Sequence, residues 1–117
     1  MTDILIISNN VSSRISYCAA LTGYGYSVAE AQNVDDALRQ LTKNAQPRAI
    51  IVDLKFSGAL TDAYRQFDAL YGNRARPTLI IIGGSDNAHL TDGMADVFLA
   101  RPVELQDLIE HVQASLN

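Results

Sequence analysis

The stretch AIIVDL, residues 49–54, is the segment that decides the fold. Its apolar residues lead to Asp53 without the alternation of apolar and polar side chains that a half-exposed strand shows. Such a run is typical of a strand that is covered by helices on both faces, as in a parallel sheet. Asp53 therefore stands at the carboxyl end of a buried strand, where an unpaired charge would be costly.

Four further segments have the character of strands, namely 4–7, 27–31, 78–82 and 96–100. Segments with helical periodicity lie between them, and this alternation indicates repeated βα units around a parallel sheet. The sequence thus predicts an α/β fold with five strands. We expect one domain over residues 1–117, because a chain of this length has room for a single core.

Apolar stripes predict the helices that cover this sheet. The stripes are Val34, Ala37, Leu38 and Leu41 in the second helix, Leu60, Ala63, Tyr64, Phe67 and Tyr71 in the third, and Leu105, Leu108, Ile109, Val112 and Leu116 in the last. Asn33 is expected to cap the second helix, with Asp36 in its first turn. Between the fourth and fifth strands there is room for only a short helix, about residues 86–92.

The first helix, about residues 12–22, has two candidate apolar faces. One consists of Tyr17, Ala20, Leu21 and Tyr24, and the other of Val11, Ile15, Cys18 and Thr22. Only one of them can face the sheet. The simpler interpretation is one broad buried stripe; the alternative is that the face around Val11, Ile15 and Cys18 is kept for a protein partner.

Composition excludes several classes of function. The formal net charge is -4, and nine basic residues are scattered along the chain, so no basic stripe suited to nucleic acid is present. No apolar stretch approaches the length of a membrane span, and the first residues do not resemble a signal peptide, so we expect a cytoplasmic protein. Cys18 is the single cysteine, and His89 and His111 have no predicted catalytic or metal partner.

In an open parallel sheet, functional groups gather at the carboxyl ends of the strands. These ends carry Ser8 and Asn9, Asp53, Gly83, and Arg101. With ordinary chemistry alone, Asp53 could be satisfied by backbone N–H groups of the following turn, and the polar residues 8–10 could cap the first helix. No nucleophile and base pair can be assigned, so we do not expect an enzyme.

At this point the chain resembles the receiver domain of bacterial two-component response regulators. The resemblance is carried by ILII at 4–7 followed by Arg14, GYSVAEAQNVDDAL at 25–38, AIIVDL at 49–54 and ADVFLARPVELQDLI at 95–109. It implies a flavodoxin-like (βα)5 three-layer sandwich with strand order 2-1-3-4-5. It also implies phosphorelay signal transduction, in which a histidine kinase donates a phosphoryl group and a dimer partner or output domain reads the result.

The resemblance assigns a role to each residue at the strand ends. Asp53 falls on the phosphoacceptor, Arg101 on the lysine that pairs with the phosphoryl group, and Phe98 on the aromatic switch residue. Ser8 and Asn9 fall on the acidic pair that holds Mg²⁺ in the family.

The chain departs from the family at the site itself. Ser8 and Asn9 are neutral, and Gly83 stands where a switch hydroxyl is expected, with Ser85 two residues further on. Mg²⁺ prefers carboxylate oxygens, so this pattern predicts no metal site, or one with very weak affinity. We hypothesise that Arg101 pairs directly with Asp53 and takes the space of metal and phosphate.

Three functions remain open from the sequence. The first is an atypical receiver that acts by protein–protein interaction, with phosphorylation weak or lost. The second is a working receiver that is still phosphorylated on Asp53. The third is a binder of small anions, flavins or nucleotides, using the polar segment 8–13 at the start of the first helix and Phe56 as a stacking ring.

Overall fold

The computed structural model describes residues 2–43, 46–53, 57–72, 75–84, 93 and 95–116. In this part of the chain, strands and helices alternate as the sequence predicts, each within a few residues of the expected bounds. The strands are β1 (Ile4–Ser8), β2 (Val28–Ala31), β3 (Ala49–Asp53), β4 (Thr78–Gly83) and β5 (Val97–Ala100), and the helices are α1 (Val11–Gly23), α2 (Val34–Lys43), α3 (Ser57–Tyr71) and α4 (Leu105–Leu116). The short helix predicted at 86–92, together with Ser85 and His89, lies outside the described residues.

The five strands form one parallel sheet in the order β2-β1-β3-β4-β5. Strands β1 and β3 are buried along their whole length, as a strand between two helical layers must be. The flavodoxin-like fold and the strand order 2-1-3-4-5 are therefore confirmed. Because all strands run in the same direction, their carboxyl ends meet at one edge of the sheet, and Ser8 lies directly beside Asp53 there.

Two hydrophobic clusters cover the two faces of the sheet. One joins the sheet to α2 and α3, and the other joins it to α1 and α4. The stripes predicted for α2, α3 and α4 supply most of the helical side chains in these clusters; the Leu60 side chain lies outside the described residues, and among those described Leu105 is the exception. Leu105 is 39% exposed because it is the first residue of α4 and precedes the turn that contacts the sheet.

Helix α1 divides its second predicted face, because Cys18 is half-buried and packs against the same cluster as Tyr17 and Leu21 and so does not belong to an exposed partner face. Tyr17 and Leu21 are buried against the sheet, whereas Val11 and Ile15 are 56% and 58% exposed. The single broad buried stripe was therefore the wrong interpretation, because one helix that packs on a flat sheet can bury only one side. Tyr24, which shares a candidate face with Tyr17 and Leu21, is also exposed, since it lies beyond the last residue of α1.

Side chains cap the two helices that begin near the functional edge. The Ser13 N–H donates to Asn10 Oδ1 at 2.9 Å, and the Asp36 N–H donates to Asn33 Oδ1 at 2.8 Å. The cap predicted at Asn33 is confirmed. No helix in the described part of the chain combines the length and apolarity that crossing a membrane requires.

Candidate functional site

Asp53 is the buried charge around which the site is built. It is the last residue of β3, with β1 on one side and β4 on the other, and only 4% of its surface is exposed. A carboxylate in such a place is stable only if partners compensate for the lost water. Both of its oxygens have such a partner.

Arg101 supplies the first partner. Its Nη2 forms an ion pair with Asp53 Oδ1, and its backbone N–H donates to the Gly83 carbonyl at 2.8 Å. The ion pair that was hypothesised from the sequence is therefore present.

Ser8 supplies the second partner. Its side chain is fully buried at the end of β1, and its Oγ donates to Asp53 Oδ2 at 3.2 Å while accepting the Asn10 N–H at 3.2 Å. The expectation that residues 8–10 serve as helix caps holds only for Asn10. Ser8 contacts Asp53 instead, because the two residues are in register on neighbouring strands and their side chains therefore lie on the same face of the sheet. Asn9 is exposed.

We call the side chains of Ser8, Asp53 and Arg101 the latch. The three come from β1, β3 and the residue after β5, so they join strands that are far apart in the chain. Within the described residues, no buried side-chain nitrogen or oxygen lacks a hydrogen-bond partner. The latch is thus internally satisfied, which makes it a stable arrangement rather than a strained one.

Arg14 holds the first residue of the latch in place from outside. Its Nη1 donates to the Ser8 carbonyl at 2.7 Å, and its Nε lies 3.3 Å from Glu30 Oε1 on β2. The sequence placed Arg14 in a family motif but assigned it no role. The position of Arg14, one turn into α1, could have indicated this role. Side chains on a helix lean toward its N-terminus, so a long one there reaches back over the end of β1.

The described residues bring a single acid to this edge of the sheet, and weak or absent binding of Mg²⁺ stays a prediction. No group of three or more acidic, histidine or cysteine side chains able to hold a metal occurs among the described residues. Asp53 is the one acid of the latch, and its oxygens are engaged by Arg101 and Ser8. Mg²⁺ takes hard oxygen ligands, usually with one or two carboxylates, and a neighbouring guanidinium repels it.

The two predicted switch positions lie on neighbouring strands. Gly83 is the buried last residue of β4, and Phe98 is half-buried on β5, where it packs against the cluster formed with α2 and α3. Phe98 is in register with Ile81 and Gly83 with Ala100, so neither switch residue is paired with the other. Their roles in switching stay predictions.

Two N–H groups of the segment proposed as an anion-binding loop, those of Asn10 and Ser13, already have side-chain partners within the chain. At the start of α1, the Asn10 side chain accepts a hydrogen bond from the Ser13 N–H, and the Ser8 hydroxyl accepts one from the Asn10 N–H. These are the donors that a phosphate at a helix N-terminus would use. Phe56, the proposed stacking ring, lies outside the described residues.

Tyr17 is a neighbour of the site that sequence reasoning assigned only to the core. It is buried in the cluster that α1 and α4 form with the sheet. Burial raises the pKa of its phenol, and the negative charge of Asp53 raises this pKa further, while the Arg101 charge and a hydrogen bond with Ser13 oppose the increase. The pKa of the Tyr17 phenol therefore depends on the charges of Asp53 and Arg101.

Replacing Tyr17 with phenylalanine is expected to make the free energy of unfolding decrease less steeply as the pH rises in alkaline solution. Because the folded protein holds the phenol proton to higher pH than the unfolded chain, this contribution is complete below the ordinary tyrosine pKa of 10.0 and is lost as the pH rises through the raised folded-state pKa. The free energy of unfolding, measured with urea from pH 8 to pH 11, should fall more steeply in the wild type, by up to about 1.4 kcal/mol per pH unit. Parallel curves for the two proteins would contradict this.

Comparison with solved structures, and not with protein families or curated proteins, relates the chain to known proteins. No protein-family model matches it, and no curated protein matches it either. Solved structures do: a response regulator receiver domain protein from Clostridium thermocellum is 26% identical, with a TM-score of 0.82, and covers 100% of this chain and 95% of its own.

Two other similar structures have lower sequence identity and also cover nearly the whole of both chains. The receiver domain of NtrX from Brucella abortus is 21% identical, with a TM-score of 0.81, over 97% of this chain and 98% of its own. The chemotaxis response regulator CheY4 of Vibrio cholerae is 19% identical, with a TM-score of 0.83, over 99% of both chains. The chain thus has the receiver-domain fold over its whole length, and the resemblance to response regulator receiver domains that its sequence indicates is confirmed.

Proposed function

We propose that this chain is a signal-transduction receiver module of an atypical kind, which acts by protein–protein interaction. In this proposal Asp53 occupies the phosphoacceptor position, and Mg²⁺-dependent phosphorylation of Asp53 is weak or lost. The module is not an enzyme and acts in the cytoplasm. Its partner is a histidine kinase, an output domain or a second copy of the chain. The receiver fold over the whole chain supports the general assignment.

The ion pair between Arg101 and Asp53 is the observation that carries the atypical assignment. To take a phosphoryl group, a carboxylate oxygen must approach phosphorus, and cations must neutralise the charge that gathers on the transferred oxygens. Here Oδ1 faces Arg101 and Oδ2 faces the Ser8 hydroxyl. A phosphodonor would have to displace at least one of these partners before reaction.

The latch also supplies a reason for a single conformational state. The cation that pairs with Asp53 is part of the chain, so its local concentration does not depend on a kinase or on Mg²⁺. An external ligand shifts a conformational equilibrium only as far as it binds one state better than the other. A receiver whose Asp53 is paired with an internal cation is therefore held in one conformational state. Such a module signals through the partner that its surface binds and not through a change of state.

Incubation with acetyl phosphate and Mg²⁺, followed by intact-mass measurement, tests this proposal. We expect no mass increase of one phosphoryl group in the wild type, because the latch keeps Asp53 engaged and the donor set for Mg²⁺ is incomplete. The Asp53→Asn variant is the matched control for modification elsewhere. A phosphorylated wild type beside an unmodified Asp53→Asn variant would establish the working receiver instead.

A further inference from the structure

The Ser8 hydroxyl has one hydrogen and two acceptors within reach. Its Oγ lies 3.2 Å from Asp53 Oδ2 and 3.3 Å from the Asn10 carbonyl oxygen. A serine hydroxyl donates a single hydrogen bond, so the two acceptors compete for the same hydrogen. Both distances exceed the usual value of about 2.7–2.8 Å for a hydroxyl donor, as expected when one hydrogen is shared. Ser8 is thus placed between two alternative hydrogen bonds.

The charge of Asp53 decides between these acceptors. A hydrogen bond to a carboxylate is about twice as strong as one to a neutral carbonyl, and the two distances are nearly equal. Ser8 is fully buried and Asp53 is 4% exposed, so water does little to weaken this preference. In the wild type the hydroxyl therefore favours Asp53 over the Asn10 carbonyl.

The Asn10 carbonyl is the first acceptor of α1. It accepts the Arg14 N–H at 3.0 Å, while the Asn10 side chain accepts the Ser13 N–H at 2.9 Å. A carbonyl oxygen has two lone pairs, so it can accept the Ser8 hydroxyl without losing the Arg14 N–H. The hydrogen of Ser8 is therefore available either to the latch or to the first turn of α1.

Arg14 contacts the carbonyls of both residues between which this hydrogen bond is chosen. Its backbone N–H donates to the Asn10 carbonyl, and its Nη1 donates to the Ser8 carbonyl at 2.7 Å. Its Nε lies 3.3 Å from Glu30 Oε1. A change of hydrogen bonding at Asn10 thus acts on a residue that joins β1, α1 and β2.

We propose that Ser8 couples the state of Asp53 to the first turn of α1. While Asp53 offers an acceptor at Oδ2, the hydroxyl is turned toward the latch; when a donor takes that place, the hydroxyl turns to the Asn10 carbonyl. The latch thereby fixes the start of α1 as well as the ends of the strands. This coupling depends on the geometry of the latch and not on phosphorylation, so its test is separate from that of the proposed function.

Asp53→Asn forces the second arrangement. A guanidinium only donates hydrogen bonds, so the side-chain oxygen of the new amide stays with Arg101 and its NH2 group faces Ser8. The Ser8 oxygen then accepts this NH2 group as well as the Asn10 N–H, which uses both of its lone pairs. Its own hydrogen turns to the Asn10 carbonyl, the other acceptor within its reach among the described residues.

NMR spectroscopy of isotopically labelled protein measures this change. A carbonyl carbon moves downfield when its oxygen accepts a further hydrogen bond, so we expect a downfield shift of the Asn10 carbonyl carbon in Asp53→Asn. The same substitution in the Ser8→Ala background should leave this resonance nearly unmoved, because the hydroxyl is absent. In the Ser8→Cys background, which keeps a weak donor of similar size, the shift should be smaller than with serine.

Arg101→Lys is the matched control, because it alters the latch but keeps Asp53 charged. It should leave the Asn10 carbonyl carbon at its wild-type position. Circular dichroism must show that each variant retains the wild-type fold, and the Ser8→Cys background supplies the comparison if Ser8→Ala does not fold. Equal shifts with and without the Ser8 hydroxyl would mean that the lost charge alone moves the resonance, and no shift would mean that the hydroxyl does not turn. Either result would overturn the proposal.

Discussion

A triple variant with Ser8→Asp, Asn9→Asp and Arg101→Lys is expected to bind Mg²⁺ at least a hundredfold more tightly than the wild type. The variant adds two carboxylates beside Asp53 and replaces the planar guanidinium with a flexible point charge. A single pair of unit charges about 4 Å apart interacts by about 4 kcal/mol at an effective dielectric constant of about 20. Two added carboxylates that face a doubly charged ion make four such pairs, so about 2.8 kcal/mol, enough for a hundredfold change, remains even after most of the attraction is offset by desolvation.

The same variant should become dependent on Mg²⁺ for its stability. Position 8 is fully buried, so a second carboxylate there repels Asp53 when no cation is present. Calorimetric titration gives the affinity, and thermal unfolding with and without Mg²⁺ gives the stabilisation that mass action predicts. The control variant carries Ser8→Ala, Asn9→Ala and Arg101→Lys, which changes the arginine without adding acids. Equal responses of the two variants to Mg²⁺ would show that the missing acids are not what limits metal binding.

Replacing Arg101 with methionine is expected to lower the free energy of unfolding by about 1–3 kcal/mol at neutral pH. The Asp53 side chain is 5% exposed, so this change leaves a buried carboxylate with the Ser8 hydroxyl as its remaining partner in the latch. The loss stays below that of a fully buried pair because the Arg101 side chain is 30% exposed, and water can enter where it was. Urea denaturation measures the effect.

A double-mutant cycle separates the ion pair from simple loss of packing. In the Asp53→Asn background, no buried charge is left unpaired, so Arg101→Met should cost much less there than in the wild type. Arg101→Lys keeps the positive charge, so its free energy of unfolding should lie between those of the wild type and Arg101→Met. Equal costs of Arg101→Met in the two backgrounds would mean that the guanidinium acts through its packing and not through Asp53.

The fold could be predicted from local patterns because those patterns have local physical causes. Buried parallel strands need uninterrupted apolar residues, as in 49–52, and the helices need one apolar stripe each. Element bounds differed by one or two residues, since the last residues of strands such as Gly83 carry no periodic signal. The interpretation of α1 was wrong because two stripes of similar hydrophobicity leave the choice of buried face to the sheet, which a one-dimensional pattern does not contain.

The site was predicted in part. Asp53 and Arg101 could be paired because both stand at the carboxyl ends of strands of one parallel sheet and have opposite charge. The place of Ser8 was not foreseen, because serine and asparagine at a helix start are such common caps that residues 8–10 looked alike. Tyr17 was missed because an aromatic residue in an apolar stripe is ordinary core, and its relation to Asp53 arises only when α1 is laid on the sheet.

Gly83 has a consequence for the route that the Arg101 side chain takes. Strand β4 lies between β3, which ends at Asp53, and β5, which precedes Arg101. Neighbouring strands are about 4.8 Å apart, so the guanidinium must cross the tip of β4 to reach the carboxylate. The residue at that tip is Gly83, whose carbonyl accepts the Arg101 N–H and which has no side chain to stand in the way. An arginine that follows β5 thus reaches a carboxylate at the end of β3 across a strand tip that carries no side chain.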